Sequence, residues 1–236
     1  MSRNTSSGQP FPPEYFARVD PTDDARFYDT PRLVTHIDGS AIAIIGEVLR
    51  ELIPPDATIL DLMSSWKSHL PREISPRRVV GLGMNATELA ANDQLDEWIV
   101  QDLNADPTLP FADDAFDIVV VTVSIQYVTQ PIALFRAIRR VLKPGALLVI
   151  IFSNRLFPTT AVRVWLEQDD PGHVALVRTY FELAGGYENI TFIDRSNPPQ
   201  PDRLGRLGPG HDPVYVTLGY KDRETETGTR GIIPSA

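Results

Sequence analysis

Residues 99–128, "IVQDLNADPTLPFADDAFDIVVVTVSIQYV", carry the reading on which the fold turns. The stretch opens inside a short apolar run, 98–101, and reaches an acid at Asp102. It passes Leu109-Pro110-Phe111 and enters a second run at 116–123. That second run, FDIVVVTV, is apolar almost throughout rather than alternating. Strands of this kind are buried on both faces and belong to parallel sheets covered by helices. Asn, Asp and Pro punctuate the segment between the runs, as turns require. Polar residues therefore gather where each strand ends, with Asp102 after one and Ser124, Gln126 and Tyr127 after the other.

The same pattern extends outward. Further strand candidates are 57–61 (ATILD), 78–82 (RVVGL), 146–152 (ALLVIIF), 189–194 (NITFID) and 214–220 (VYVTLGY). Helical segments separate most of them. Residues 131–142, PIALFRAIRRVL, place Pro131 in a first turn and Ile132, Phe135, Ile138 and Leu142 on one stripe. Lys143-Pro144-Gly145 closes that helix. Another helix runs over 172–184 and ends at Gly185-Gly186. A third covers 40–53, capped by Asp38 or Ser40, with Ile42, Ile45, Leu49 and Leu52 on one face. The final two strands are joined by 195–213, rich in Pro and Gly, and are expected to form an antiparallel hairpin at one edge. The prediction is an α/β fold with helices on both faces of a mostly parallel sheet.

Composition narrows the function. The chain has 236 residues, a net charge of -9 and no cysteine. Excess acid argues against nucleic acid as a main partner. Without cysteine there is no disulfide, thiolate nucleophile or Cys-ligated metal. The histidines at 36, 69, 173 and 211 lack metal-ligand spacing, so no metal is expected. No apolar run reaches membrane-spanning length. The expected setting is cytoplasmic, with no membrane partner; the oligomeric state is left open. The ends, 1–10 and 222–236, read as disordered tails. Residues 11–55 read as an N-terminal lid and helical segment, and 56–221 as the main domain.

From about Ala57 to Tyr220 the sequence resembles the class I S-adenosylmethionine-dependent methyltransferases, of the type 11-like kind. "TILDLMSSW" stands where that family has a strand, an Asp and a glycine loop. "RVVGLGMNATEL" stands at its second strand, and residues 99–128 at its third and fourth. "LKPGALLVI" matches its turn into strand five. The resemblance implies a Rossmann-like seven-stranded methyltransferase sheet with an antiparallel last strand. It also implies S-adenosyl-L-methionine as cofactor, bound at the first three strand ends.

Two departures stand out. The three glycines of the family's first loop align with Met63, Ser65 and Lys67, and its ribose-binding acid aligns with Gly83. The resemblance assigns cofactor contacts to Asp61, Met63, Ser64, Ser65, His69, Gly83, Met84, Asn85, Asp102, Leu103 and Ser124. Asn85 is the expected partial replacement for the missing ribose acid. The crowded serines at 64, 65 and 68 read either as a polar nest or as a helix start with Ser65 or Ser68 as cap. Asp102 reads as an adenine contact or as a turn cap.

The acceptor side is expected to involve Tyr28, Arg32, Gln126, Asn154 and Arg155. Arg155 either recognises a carboxylate or carbonyl through its planar fork or pairs with surface acid. Candidate proton acceptors or orienting groups are His36, Tyr127 and His69. Tyr127 reads equally as packing beneath the N-terminal segment, and His36 as structural. The expected function is an S-adenosylmethionine-dependent methyltransferase-like enzyme acting on a small molecule. Two alternatives stand beside it. One is a non-methylating lyase or cyclase on the same fold, with or without the cofactor; the other is a non-catalytic binding protein.

Overall fold

The computed structural model describes residues 11–196 and 211–223. The expected tail 1–10, all but the first two residues of the expected tail 222–236, and most of the 195–213 connection lie outside the described residues. Seven strands form one sheet among them: β1 (Thr58–Ser64), β2 (Arg78–Gly83), β3 (Glu97–Val100), β4 (Phe116–Thr122), β5 (Leu142–Phe152), β6 (Tyr187–Asp194) and β7 (Tyr215–Lys221). Their order is β3-β2-β1-β4-β5-β7-β6. The first five pair in parallel, and β7 runs antiparallel between β5 and β6. The expected hairpin is present, with β6 at the edge and β7 inside.

Strand parity divides the core. Leu60, Leu62, Val80, Leu82, Val119, Val121, Leu148 and Ile150 face one side. They pack with α4 (Pro131–Val141), α5 (Arg163–Leu166) and α6 (Asp170–Ala184). Ile59, Val79, Ile118, Val120, Val149 and Ile151 face the other side, under α2 (Gly39–Leu52). This inward alternation from both faces is what wholly apolar parallel strands predict. In α2 the buried positions are Ala41, Ile45, Val48 and Leu49, and Asp38 caps the helix by accepting from the Ala41 N–H at 2.8 Å. In α4 the buried stripe is Leu134, Phe135, Ile138 and Val141; Ile132 sits at its rim. Lys143-Pro144-Gly145 lies within β5 rather than ahead of it, and Gly145 has φ of 77°.

The crossover from β1 to β2, residues 65–77, contains no helix. Leu70 and Ile74 from this segment pack into the α2 side of the core. The helix-start reading of Ser65 and Ser68 therefore does not hold. α3 (Ala86–Ala91) follows β2, with Asn85 as its cap.

The segment before α2 is strapped across the carboxyl ends of the strands. Phe11 and Phe16 pack on Tyr180 of α6. Arg18 bridges to Val162, and the Asp20 N–H donates to the Thr159 carbonyl at 2.8 Å. α1 (Asp24–Tyr28) then carries Phe27 onto Phe157, with ring centroids 5.3 Å apart. Behind the strap, Asp38 and Asp212 exchange hydrogen bonds: each carboxylate accepts from the other's backbone N–H, at 2.9 and 2.8 Å.

Candidate active site

The ends of β1, β2 and β4, the segment after β3, the strap and residues 155–157 enclose a cavity of about 260 Å³. Carboxyl strand ends at a switch in strand order are the usual ligand position in open α/β sheets. Here β1 lies between β2 and β4, so the order reverses at that place.

The β1 end departs most from expectation. β1 does not turn away after Asp61 but continues to Ser64, which pairs with Gly83 of β2. The register shifts between Leu62 and Ser64, and Met63 takes up the extra residue with φ of 59°. A left-handed non-glycine residue is disfavoured by about 1–2 kcal/mol. The Met63 side chain packs on the main core, which offsets that cost.

The serines of this segment bond inward. Ser64 Oγ donates to Asp61 at 2.5 Å, and Ser65 Oγ donates to Glu88 at 2.6 Å. Ser68 also bonds the Asp61 carboxylate and accepts from Asn92 Nδ2 at 2.9 Å. The segment is a closed hydrogen-bond network stitched to α3. Burial pushes the Asp61 carboxyl up to about 6, against the lowering effect of Ser64 and Ser68.

At β2, Gly83 is buried, and Met84 and Asn85 line the cavity. The Asn85 amide is fully engaged. Its oxygen accepts from the N–H groups of Thr87 and Glu88, and its nitrogen donates to the Tyr28 carbonyl at 2.7 Å and to the Asp29 carbonyl at 3.4 Å. It has no donor or acceptor left to replace a ribose-binding acid. The buried carboxylate in this part of the wall is Glu88, 6% exposed, which also accepts from the Arg32 N–H at 2.7 Å. Glu88 reads in the sequence as an ordinary first-turn helix acid. Its burial follows from the strap, 56 residues earlier, and only the periodic burial of the neighbouring Leu89 hints at it.

After β3, Asp102 caps its own turn, accepting from the Asn104 N–H at 2.8 Å and the Ala105 N–H at 3.2 Å through one oxygen. Asp102 and the buried Leu103 both line the cavity. Asn104, absent from the sequence expectations, knots the region together. It donates to Asp24 at 2.8 Å and to the Tyr127 carbonyl at 2.9 Å, and accepts from Thr129. Asp24 is also paired with Arg18.

Beyond β4, Thr122 and Ser124 line the cavity, and their hydroxyls are buried without a hydrogen-bond partner among the described residues. Tyr127 lines it too, is 8% exposed, and accepts from the Phe157 N–H at 2.9 Å. Burial pushes the Tyr127 hydroxyl upward.

Not every expected residue reaches the cavity. Gln126 is fully buried beneath it, donating to the Val123 and Arg155 carbonyls, and it is not part of the wall. Asn154 is exposed and likewise lies outside the wall. Arg155 lines the cavity while its guanidinium donates to Asp212 at 2.6 Å. Tyr28, Arg32, His36 and His69 all line it. Arg32 donates to the Phe27 carbonyl at 2.8 Å and lies 4.2 Å from that residue's ring centroid. His36 meets Phe157 edge-on at 5.0 Å. Burial lowers the His36 pKa; Glu88 opposes that shift and Arg32 adds to it. His69 is lowered by burial and by Lys67, and adopts φ of 55°.

Among the described residues no helix is long and apolar enough to cross a membrane.

A family model described as "Methyltransferase domain" matches residues 66–150. The match begins at Trp66, just past the remodelled β1 end. No curated protein matches the chain. Among solved structures, the putative methyltransferase in a complex with the Haloferax volcanii Trm112 methyltransferase activator is 16% identical, with a TM-score of 0.57. That alignment covers 78% of this chain and 91% of the other. A possible histamine N-methyltransferase from Thermotoga maritima is 16% identical over 77% of this chain and 90% of its own, with a TM-score of 0.52. The [4+2]-cyclase SpnF is 15% identical over 76% and 81%, also with a TM-score of 0.52. The cofactor these comparisons support is S-adenosylmethionine. Strand order, the inserted antiparallel β7 and these neighbours give the chain the seven-stranded Rossmann-like fold of S-adenosylmethionine-dependent methyltransferases, and the methyltransferase-domain match lies within it over residues 66–150.

Proposed function

We propose that the chain is an enzyme that transfers the methyl group of S-adenosylmethionine to a small molecule held in this cavity. The observation that carries the reading is the pair of buried, unpartnered hydroxyls, Thr122 and Ser124, in the wall of an enclosed pocket at the strand-order switch. Buried polar groups without partners are uncommon in folded interiors and point to a polar occupant. The wall's chemistry fits the cofactor: carboxylates at Asp61, Glu88 and Asp102, and apolar surface from Leu82 and Leu103.

In this reading Asp102 and Leu103 border the adenine. Asp61, Met63, Ser64, Ser65 and His69 border the methionine end, with Gly83, Met84 and Asn85 between. When bound, the cofactor supplies a methyl group activated on a sulfonium. The chain's own part is to align the acceptor and to accept its proton. His36 is the proton acceptor in this proposal, because its lowered pKa leaves a neutral imidazole at neutral pH. His69 is lowered in the same direction and is the second candidate. Tyr127 orients the acceptor rather than deprotonating it, since burial raises its pKa. Tyr28, Arg32 and Arg155 contact the acceptor. The strap over the mouth favours a small acceptor over a macromolecular one.

A second reading, a non-methylating reaction on the same scaffold, is favoured by one observation. The β1 end holds Met63 and a closed serine network where the superfamily has an open glycine loop. Calorimetric titration with S-adenosylmethionine and S-adenosylhomocysteine tests the first reading. Binding of both, with methyl transfer to an acceptor abolished in His36→Ala, supports it. Absence of heat and of any thermal shift at millimolar ligand overturns it. Binding with no transfer across acceptors gives the second reading precedence.

A further inference from the structure

We infer that Glu88 is the carboxylate that receives the ribose hydroxyls of the adenosyl cofactor, in place of the acid the superfamily carries at the position of Gly83. The inference rests on the cofactor reading above. Its first ground is steric. A Cβ on Gly83 would lie well under 3.0 Å from the Ser64 carbonyl oxygen, a separation real Cβ atoms essentially never show. The extension of β1 through Ser64 therefore forbids a side chain at 83, and any carboxylate serving this part of the cavity must come from elsewhere.

Four carboxylates line the cavity: Asp24, Asp61, Glu88 and Asp102. Asp24 is neutralised by Arg18 and accepts from Asn104. Asp61 is bonded by two serine hydroxyls at the root of the bulge. Asp102 caps its own turn beyond β3. Glu88 sits in the first turn of the helix that follows β2, beside Leu89, whose side chain borders Gly83. Among the described residues no Lys, Arg or His forms an ion pair with it.

The valence of Glu88 matches a diol. One carboxylate oxygen accepts from the Arg32 N–H and the other from Ser65 Oγ. A carboxylate oxygen has two acceptor sites, so each oxygen keeps one free. Two free sites on one carboxylate suit two adjacent hydroxyl donors. The existing bonds to the strap and to the β1 end hold the carboxylate in place for them.

The experiment is calorimetric titration of the full chain with S-adenosylhomocysteine and with its 2′-deoxy counterpart. The unaltered chain is expected to bind the deoxy ligand about tenfold more weakly, as losing a hydrogen bond to a charged group implies. In Glu88→Ala the two affinities should converge to within about twofold. Ser65→Ala removes a latch but keeps the carboxylate, and should preserve the tenfold preference. A purely structural latch would weaken both ligands equally, so an unchanged ratio in Glu88→Ala overturns the inference. So does an absence of preference in the unaltered chain. If Glu88→Ala does not fold, Glu88→Met, which fills the space without an oxygen acceptor, decides in the same way. Failure of the unaltered chain to bind either ligand overturns the parent reading as well, which separates the two failures.

Discussion

The backbone carbonyl of Ser64 occupies the space a side chain on Gly83 would need. Two departures from the superfamily's sequence, at the first loop and at the second strand, are thereby one structural event. When β1 gains a bulge at Met63 and runs on to pair with Gly83, the residue opposite must lose its side chain.

Restoring the superfamily acid is accordingly harmful. Gly83→Asp should destabilise the chain by about 3 kcal/mol or more, because the clash is with backbone that cannot rotate away. Urea denaturation measures this directly. A variant as stable as the parent, with tighter S-adenosylhomocysteine binding, would contradict the coupling.

Asp61 sets a pH dependence of opposite sign to that of most carboxylates. Its folded pKa, about 6, lies above the ordinary 3.8. The stability it supports is fully present below about pH 4 and is lost as pH rises through 6. The loss is on the order of 3 kcal/mol for a shift of about two pH units. Asp61→Asn should remove this slope. The check is the difference between the two chains' denaturation free energies from pH 4 to 7, which isolates Asp61 from the other acids.

Thr122 hydroxyl is buried and unpartnered, so its replacement by an isosteric methyl relieves a desolvation cost. Thr122→Val should stabilise the ligand-free chain by up to about 1 kcal/mol. It should also weaken S-adenosylhomocysteine binding several-fold. Thermal melts with and without ligand report both effects; a loss of stability without ligand would mean the hydroxyl is already satisfied.

Asn104 joins the β3 end, the strap and the turn after β4. Asn104→Ala leaves several of these groups unpaired and should cost about 2–3 kcal/mol. The strap should also become accessible to limited proteolysis between residues 17 and 36 while the sheet stays intact. Equal protease resistance in parent and variant would show that the aromatic contacts of Phe11, Phe16 and Phe27 hold the strap alone.

Much of this architecture is legible in the chain because wholly apolar runs have few places to go. FDIVVVTV and ALLVIIF are found as adjacent central strands, and the Pro131 and Asp38 signals mark helix starts as expected. The cavity is placed in outline for the same reason, since it lies at the strand ends. Its details escape because they depend on long-range contacts. Met63 in a left-handed conformation carries no local signature, and neither does the helix-less crossover at 65–77. Asn85 looks free in sequence but is consumed by the Tyr28 carbonyl and its own helix. Gln126 has the right chemistry for substrate contact but sits beneath the cavity floor. Glu88 and Asn104 become notable only once the strap folds over them.

The position of β7 bears on how the molecule is made. β6 pairs with β7 alone, and β7 is the last of the seven strands in chain order. During synthesis, β6 leaves the ribosome with no sheet neighbour, and β5 presents an open edge, until residues 215–221 follow. A stalled nascent chain lacking them exposes Val149 and Ile151 beside unpaired backbone, the kind of edge that recruits chaperones or other strands.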